Sequence, residues 1–353
     1  AFGRNAFSHK PTNTIASAAI RYSVIDCANW DHTMPHVIMG YAVVDEGDEL
    51  NLLAGDELYF GNDACLWVYE GGSLKVHGSQ DRPVRFTSVR HDGWYDTLPG
   101  QWGYIWLSSG SIDNQIDHAV IENGFIGVLA DTNVNANPTL RITNTKIYNQ
   151  SHCGIMGQGA YIVGDNLLIT SCGSALLGLQ VGGRYRFSNS TFANYWRFGN
   201  RGSHGNFIIN GGGSQSYALA VSNYYTYRDA SGAVRIEVRN IESCEFRNCI
   251  ISGTHTNNGS GEVMLAADER GQFNVVFDHC LVKSQESMLL SQNSILCEDA
   301  GFVSTDKMDF HLGPDSPALA AGSSAWVSIP YDLDGAPRGV PPSIGAYEPI
   351  VSR

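Results

Sequence analysis

The residues best suited to touching a ligand crowd into one stretch, between 195 and 228. Tyr195, Trp196, Arg197, Phe198, Arg201, His204, Tyr217, Tyr224, Tyr225, Tyr227 and Arg228 all fall there. Aromatic faces stack on the apolar faces of sugar rings, and charged groups fix hydroxyls or carboxylates. A second cluster, His91, Trp94, Tyr95 and Trp102, occupies the long segment after an early strand. The same rings serve equally well to close a flank as a satellite core. Metal chemistry is thinly supplied. Asp332 and Asp334, in Tyr331-Asp-Leu-Asp-Gly335, are weak cation candidates. Alternate aspartates before a glycine more often cap their own turn, with Arg338 as a nearby charge partner, and that reading is preferred.

These residues need a scaffold, and an internal repeat supplies it. Six octets align, beginning at Ile116, Ile142, Val163, Phe187, Phe246 and Phe277, with starts 26, 21, 24, 59 and 31 residues apart. The rule is apolar first, Asn, Asp or His third, mostly small fourth, apolar sixth and a turn-former eighth. Periods of this length with one supersecondary unit mark a solenoid. Positions four and six lie two apart, so both face the inside of a coil. The third position is a corner, where Asn, Asp and His tolerate the left-handed backbone region. Stacked corners predict one polar file of His118, Asn144, Asp165, Asn189, Asn248 and His279.

Before the octets, shorter strands recur with turn signals: 50–53, 57–60, 65–69, 73–76 and 84–87. The interval between Phe187 and Phe246 is too long for one turn. Val221-Ser-Asn223 reads as a degenerate rung, leaving a glycine- and tyrosine-rich excursion near 196–217. Excursions from a rigid scaffold are where binding function concentrates.

Composition narrows the partners. Twenty-two Lys and Arg face 35 acids in 353 residues, a net charge of −13. That balance repels phosphate backbones, so no nucleic-acid partner is expected, nor docking on anionic lipid through a basic patch. The longest apolar run, 37–44, is far short of the roughly 20 residues that span a bilayer, so no transmembrane segment is read. The chain opens at Ala1, which leaves open whether a signal segment was removed or the terminus trimmed. The eight cysteines include no CxxC pair, which disfavours an ordinary zinc site. Cys249 and Cys280 share the fourth octet position and are expected to be buried and reduced.

The octet rule, with Gly127-Val128 and Gly154-Ile155 after two copies, resembles the right-handed parallel β-helix superfamily that includes pectate lyases. Residues 50–87, Tyr95-Asp-Thr-Leu-Pro-Gly-Gln-Trp102 and Thr191-Phe-Ala-Asn-Tyr-Trp196 look like a group of exported Bacteroidetes proteins, commonly surface lipoproteins of unassigned function. Phe310-His-Leu312 and 331–348 look like an ending shared by many secreted β-helix proteins. The resemblance implies export, to the outer-membrane surface or outside the cell, with a lipid anchor on a preceding segment as one route. It implies no cofactor, apart from calcium if the chain were a lyase. Of the β-helix polygalacturonase motifs, only Ala130-Asp-Thr132 and Ser203-His-Gly205 come near, and Arg-Ile-Lys is absent. Ile116-Asp-His118 superficially matches a lyase segment but is also simply the first octet.

The fold expected is all-β: a single-stranded right-handed parallel β-helix of roughly ten rungs. A β-rich N-terminal cap covers 1–45, the helix 46–309, and a closing segment of the same domain 310–353. The function expected is non-catalytic recognition of a glycan or an outer-membrane protein partner. The candidate binding residues are Trp196, Arg197, Arg201, His204, Tyr224, Tyr225, Tyr227, Trp94, Tyr95 and Trp102. The alternatives are a uronate polysaccharide lyase and a structural part of an outer-membrane assembly. Arg184, Arg186, Arg239 and Arg247 are the coil-surface arginines available to a lyase.

Overall fold

The structure, a computed structural model, describes residues 17–90, 92–201, 216–254, 261–284, 293–297 and 299–349. His91 and His204 lie outside the described residues. The chain is a right-handed parallel β-helix with three strands per turn. Its first face stacks eight strands, Glu49–Leu53, Ser73–His77, Asn114–Asp117, Leu140–Thr143, Tyr161–Asp165, Gly183–Ser188, Ile241–Arg247 and Phe273–Asp278. The second face runs from Glu57–Phe60 through Ala119–Glu122 and Thr191–Asn194 to Leu281–Val282. The third runs from Cys65–Val68 through Ile126–Ala130 and Ala175–Gln180 to Val263–Ala266. His36–Val44 spans two faces, pairing with Glu57–Phe60 and then with Cys65–Val68. Among the described residues, no helix is long and apolar enough to cross a membrane.

Each octet is the bend from the first face to the second. Positions four and six point into the coil: Ile121, Ile147, Phe192 and Ile251 are fully buried at position six. First-position rings stack from rung to rung, Phe187 on Phe246 at 5.6 Å and Phe246 on Phe277 at 5.2 Å. Cys249 and Cys280 are buried and unpaired at equivalent rung positions, and burial pushes the Cys249 thiol well above its ordinary value.

One octet is misregistered by a residue. Gly164, not Val163, pairs with Phe187, so the corner is Asn166, at φ +58°. The polar file is therefore His118, Asn144, Asn166, Asn189, Asn248 and His279, all with positive φ. Two links are direct: Asn166 donates to Asn144 at 2.7 Å and Asn248 to Asn189 at 2.9 Å. Two pass through the acid before a corner: Asn144 donates to Asp117 at 2.7 Å and Asn189 to Asp165 at 2.9 Å. Glycine in first position hid the register, because the octet rule seeks an apolar side chain there.

The interval between Phe187 and Phe246 is a single turn, not two. Leu219–Ser222 is its ordinary third-face strand, paired with Ala175–Gln180 and Val263–Ala266. Two insertions lengthen the turn: residues 195–218 between the second and third faces, and an antiparallel hairpin, Tyr224–Arg228 with Val234–Val238, between the third and first. Counting that interval as one turn removes one rung from the expected ten or so, and the first face has eight strands.

Residues 299–349 fold back along the coil. Phe310, Leu333, Ala346 and Tyr347 cover Leu168 and Ala193, while Ala300, Leu312, Ala318 and Ile344 cover Ile250 and Leu281. It also caps the asparagine file. Asn189 donates to the Trp326 carbonyl at 3.0 Å, and Arg338 donates to Asn166 at 2.9 Å.

Candidate functional site

The structure separates the aromatic and basic residues of 195–228 into two groups on different corners. Trp196 is buried, its ring against Gly173 and 5.2 Å from Phe198. Tyr217 is buried as well, and so, at the base of the hairpin on the other corner, is Tyr224. Arg201 makes a two-pronged bond to Glu262, 2.8 Å on each prong, with both side chains inside the protein. Arg197 is exposed and donates to the Thr305 carbonyl, tying the insertion to the closing segment. This first group closes the flank. Trp196, Arg201 and Tyr224 are not placed to stack on a ligand.

The second cluster divides in the same way. Trp102 is buried, stacked on Phe60 at 4.3 Å, and donates to the Glu122 carbonyl at 2.8 Å. Tyr95 lies beneath the Arg90 guanidinium, and Trp94 stands free at 74% exposure. Asp332 and Asp334 are likewise assigned by geometry. Asp332 accepts from the amides of Asp334, Ala336 and Glu348 at 3.0, 2.8 and 2.9 Å, the expected self-capped turn. Asp334 pairs instead with His311 at 2.7 Å and with Lys146 at 3.5 Å.

What remains exposed is the hairpin. Tyr225 and Tyr227, alternate residues on one strand, share a face and stack at 6.1 Å and 13°. They are 46% and 42% exposed, so a contiguous aromatic surface is open to solvent. Directly across the hairpin stand Glu237, opposite Tyr225, and Arg235, opposite Tyr227. Cross-strand partners lie on the same face. Glu237 accepts from Arg239 at 2.7 Å, and Arg239 reaches back to donate to Thr132 at 2.8 Å. The tyrosine face thus runs without a break into a cleft of about 200 Å³ at the corner of the third and first faces. Thr132, Asn133, Tyr161, Arg184, Arg239 and Glu242 line it. Arg184 lies over the Tyr161 ring at 4.3 Å and faces Glu242 at 3.6 Å.

A second aromatic surface leads toward this cleft from the third face. Trp67 and Trp106, paired in adjacent rungs, stack at 4.8 Å and 11°. Trp106 donates to Asp131 at 2.7 Å, and Asp131 immediately precedes Thr132 of the cleft. Burial raises the Asp131 carboxyl above its usual range, and the indole bond opposes this only in part. The sequence reading missed these tryptophans. Their signal was the alternation Cys65-Leu-Trp-Val-Tyr69 and Tyr104-Ile-Trp-Leu107, which turns every second ring outward.

The chemistry available in the cleft is recognition by hydrogen bonding and stacking: two guanidinium groups, a carboxylate, two amides, a threonine hydroxyl and a tyrosine ring. Among the described residues, no three His, Cys, Asp or Glu gather as metal ligands would.

The chain is, as a class, an all-β right-handed parallel β-helix bearing a loop-built surface cleft. No family model and no curated protein matches its sequence. A solved structure that it resembles is the Dettilon tailspike protein (gp208), at 10% identity and a TM-score of 0.29. The match covers 70% of this chain and 56% of the tailspike, so the chain spans little more than half of that protein's length.

Proposed function

We propose that this chain is a carbohydrate-binding solenoid of the cell exterior, recognising a glycan at the corner cleft beside the Tyr225–Tyr227 hairpin. One observation carries the reading: two stacked, solvent-open tyrosines join, through Glu237 and Arg239, a polar cleft containing a third ring. Stacking supplies affinity for a sugar face, and flanking polar groups select its hydroxyls. Exposed rings at this density are otherwise costly, since they invite non-specific association. The rigid coil beneath suits such a site, because the rungs hold Tyr161 and Arg184 in fixed register.

A glycan-array screen of the intact chain tests this. The expected result is selective retention of one glycan class, with Tyr225→Ala and Tyr227→Ala each weakening it by about 1–3 kcal/mol. Melting temperatures should barely move, because both rings are surface residues. An array without binding, or retention unaffected by either substitution, contradicts the reading.

A further inference from the structure

We propose a second binding site on the first face, in the groove beneath 325–329, for the oxyanions of a linear glycan carrying one such charge per disaccharide. The groove measures about 400 Å³ and is lined by Arg141, Thr143, Arg186, Ser188, Arg247 and Trp326, among others. It neighbours the corner cleft, since Tyr161 and Arg184 precede Val163 and Arg186 by two residues on the same two strands.

The argument is one of charge. In a chain of net charge −13, arginines generally face acids: Arg184, Arg235, Arg239, Arg247 and Arg270 each have a carboxylate within 3.6 Å. Arg141 and Arg186 do not. Both are exposed, and among the described residues neither side chain makes a hydrogen bond or an ion pair. Asp113, within electrostatic reach of Arg141, is held by Lys75 at 2.5 Å, and Glu245, beside Arg186 on the next rung, is held by Arg247 at 2.7 Å. Asp165, the carboxylate that lines the groove, is buried and engaged by Asn189 and Ser328. A groove walled by protein concentrates the field of two cations whose neighbouring carboxylates are paired elsewhere, so an oxyanion gains more there than on open surface.

Spacing selects the ligand. Arg141 pairs in register with Val163, and Val163 with Arg186, so the two arginines occupy the same outward position two rungs apart. Two rungs rise about 10 Å, which matches the repeat of an extended disaccharide rather than of a single sugar. Trp326 adds a ring to the groove, held by a bond to Asp278 at 2.9 Å and by the Arg247 guanidinium 4.1 Å from its centre. The proposal rests on the glycan reading for the carrier, but not for the oxyanion contact itself.

Three six-sugar probes, titrated calorimetrically into the whole chain at low salt, test it. One is an alternating galactose–N-acetylglucosamine chain with one sulfate per disaccharide, and the second is its unsulfated counterpart. The third is an alternating chain with one carboxylate per disaccharide. A charged probe should bind, with Arg141→Gln and Arg186→Gln each weakening it about tenfold and flattening its salt dependence. The tighter of the two charged probes identifies the oxyanion. If the doubly substituted chain binds both charged probes as the parent does, or if neither charged probe binds the parent, the proposal is overturned. If the arginine dependence holds but Tyr225→Ala with Tyr227→Ala changes nothing on any probe, the arginine site stands and the corner-cleft reading fails.

Discussion

Asn189 and Phe192, three residues apart in one octet, divide the work of a corner. Asn189 takes φ +46° and turns its amide outward, donating to Asp165 and the Trp326 carbonyl and accepting from Asn248. Phe192 turns inward and meets Phe187 and Phe246 edge-on at 5.6 and 6.3 Å. Truncating a packed aromatic leaves a cavity that the rigid rungs cannot close, so Phe192→Ala should cost about 3–5 kcal/mol in denaturant unfolding. A loss under about 1 kcal/mol would place the ring outside the core. Asn189→Ala removes three hydrogen bonds and puts alanine in a left-handed conformation, for an expected loss of about 2–4 kcal/mol. At this scale the sequence was readable wherever side chains carried the rule. It failed at Gly164, where the inward position is filled by neighbours: a Cβ there would meet Phe187 and Leu167.

Among elements, the insertion 195–218 and the closing segment owe their attachment to charge as well as to packing. Arg201 and Glu262 are buried together, and Glu262 also accepts from the Ala218 amide at 3.0 Å. Removing one partner strands the other, so Glu262→Ala should destabilise the chain by about 3–5 kcal/mol, read by chemical unfolding. Within the closing segment His311 bridges Asp309 and Asp334, at 2.6 and 2.7 Å, and Asp334 in turn reaches Lys146 of the coil at 3.5 Å. Burial disfavours its protonation, yet the two carboxylates outweigh burial and raise it above its ordinary 6.5. A raised value means this stabilisation is complete below 6.5 and fades as pH rises through the raised value. Amide exchange over 309–312, corrected for intrinsic rates, should therefore quicken as the pH rises above 6.5, and His311→Gln should abolish the change. Neither ion pair was legible in the sequence, since their partners lie 61 and 23 residues apart. The aromatic crowding was legible, but not its division. The described ends of one insertion lie against the flank while the hairpin stands in solvent, and composition does not distinguish them.

For the whole molecule, the solenoid was the readable part, because each rung repeats the same inward and outward demands on its residues. The cleft was half-readable: Tyr225 and Tyr227 belonged to the candidate set, whereas Tyr161, Thr132 and Glu242 come together only through stacking of rungs. Recognition without cleavage is the expectation for this surface. Incubation with pectin, alginate and glycosaminoglycans, with and without calcium, should produce no unsaturated-uronate absorbance above a heat-killed control. Absorbance above that control would promote the lyase alternative. Recognition at the corner cleft is tested most directly by hydrogen exchange of the intact chain, free and saturated with its best array glycan. Protection is expected over the 224–238 hairpin and at 131–133, 159–161, 183–184 and 239–242. Protection absent from those segments and confined elsewhere, such as around Trp94 or the closing segment, would contradict the assignment.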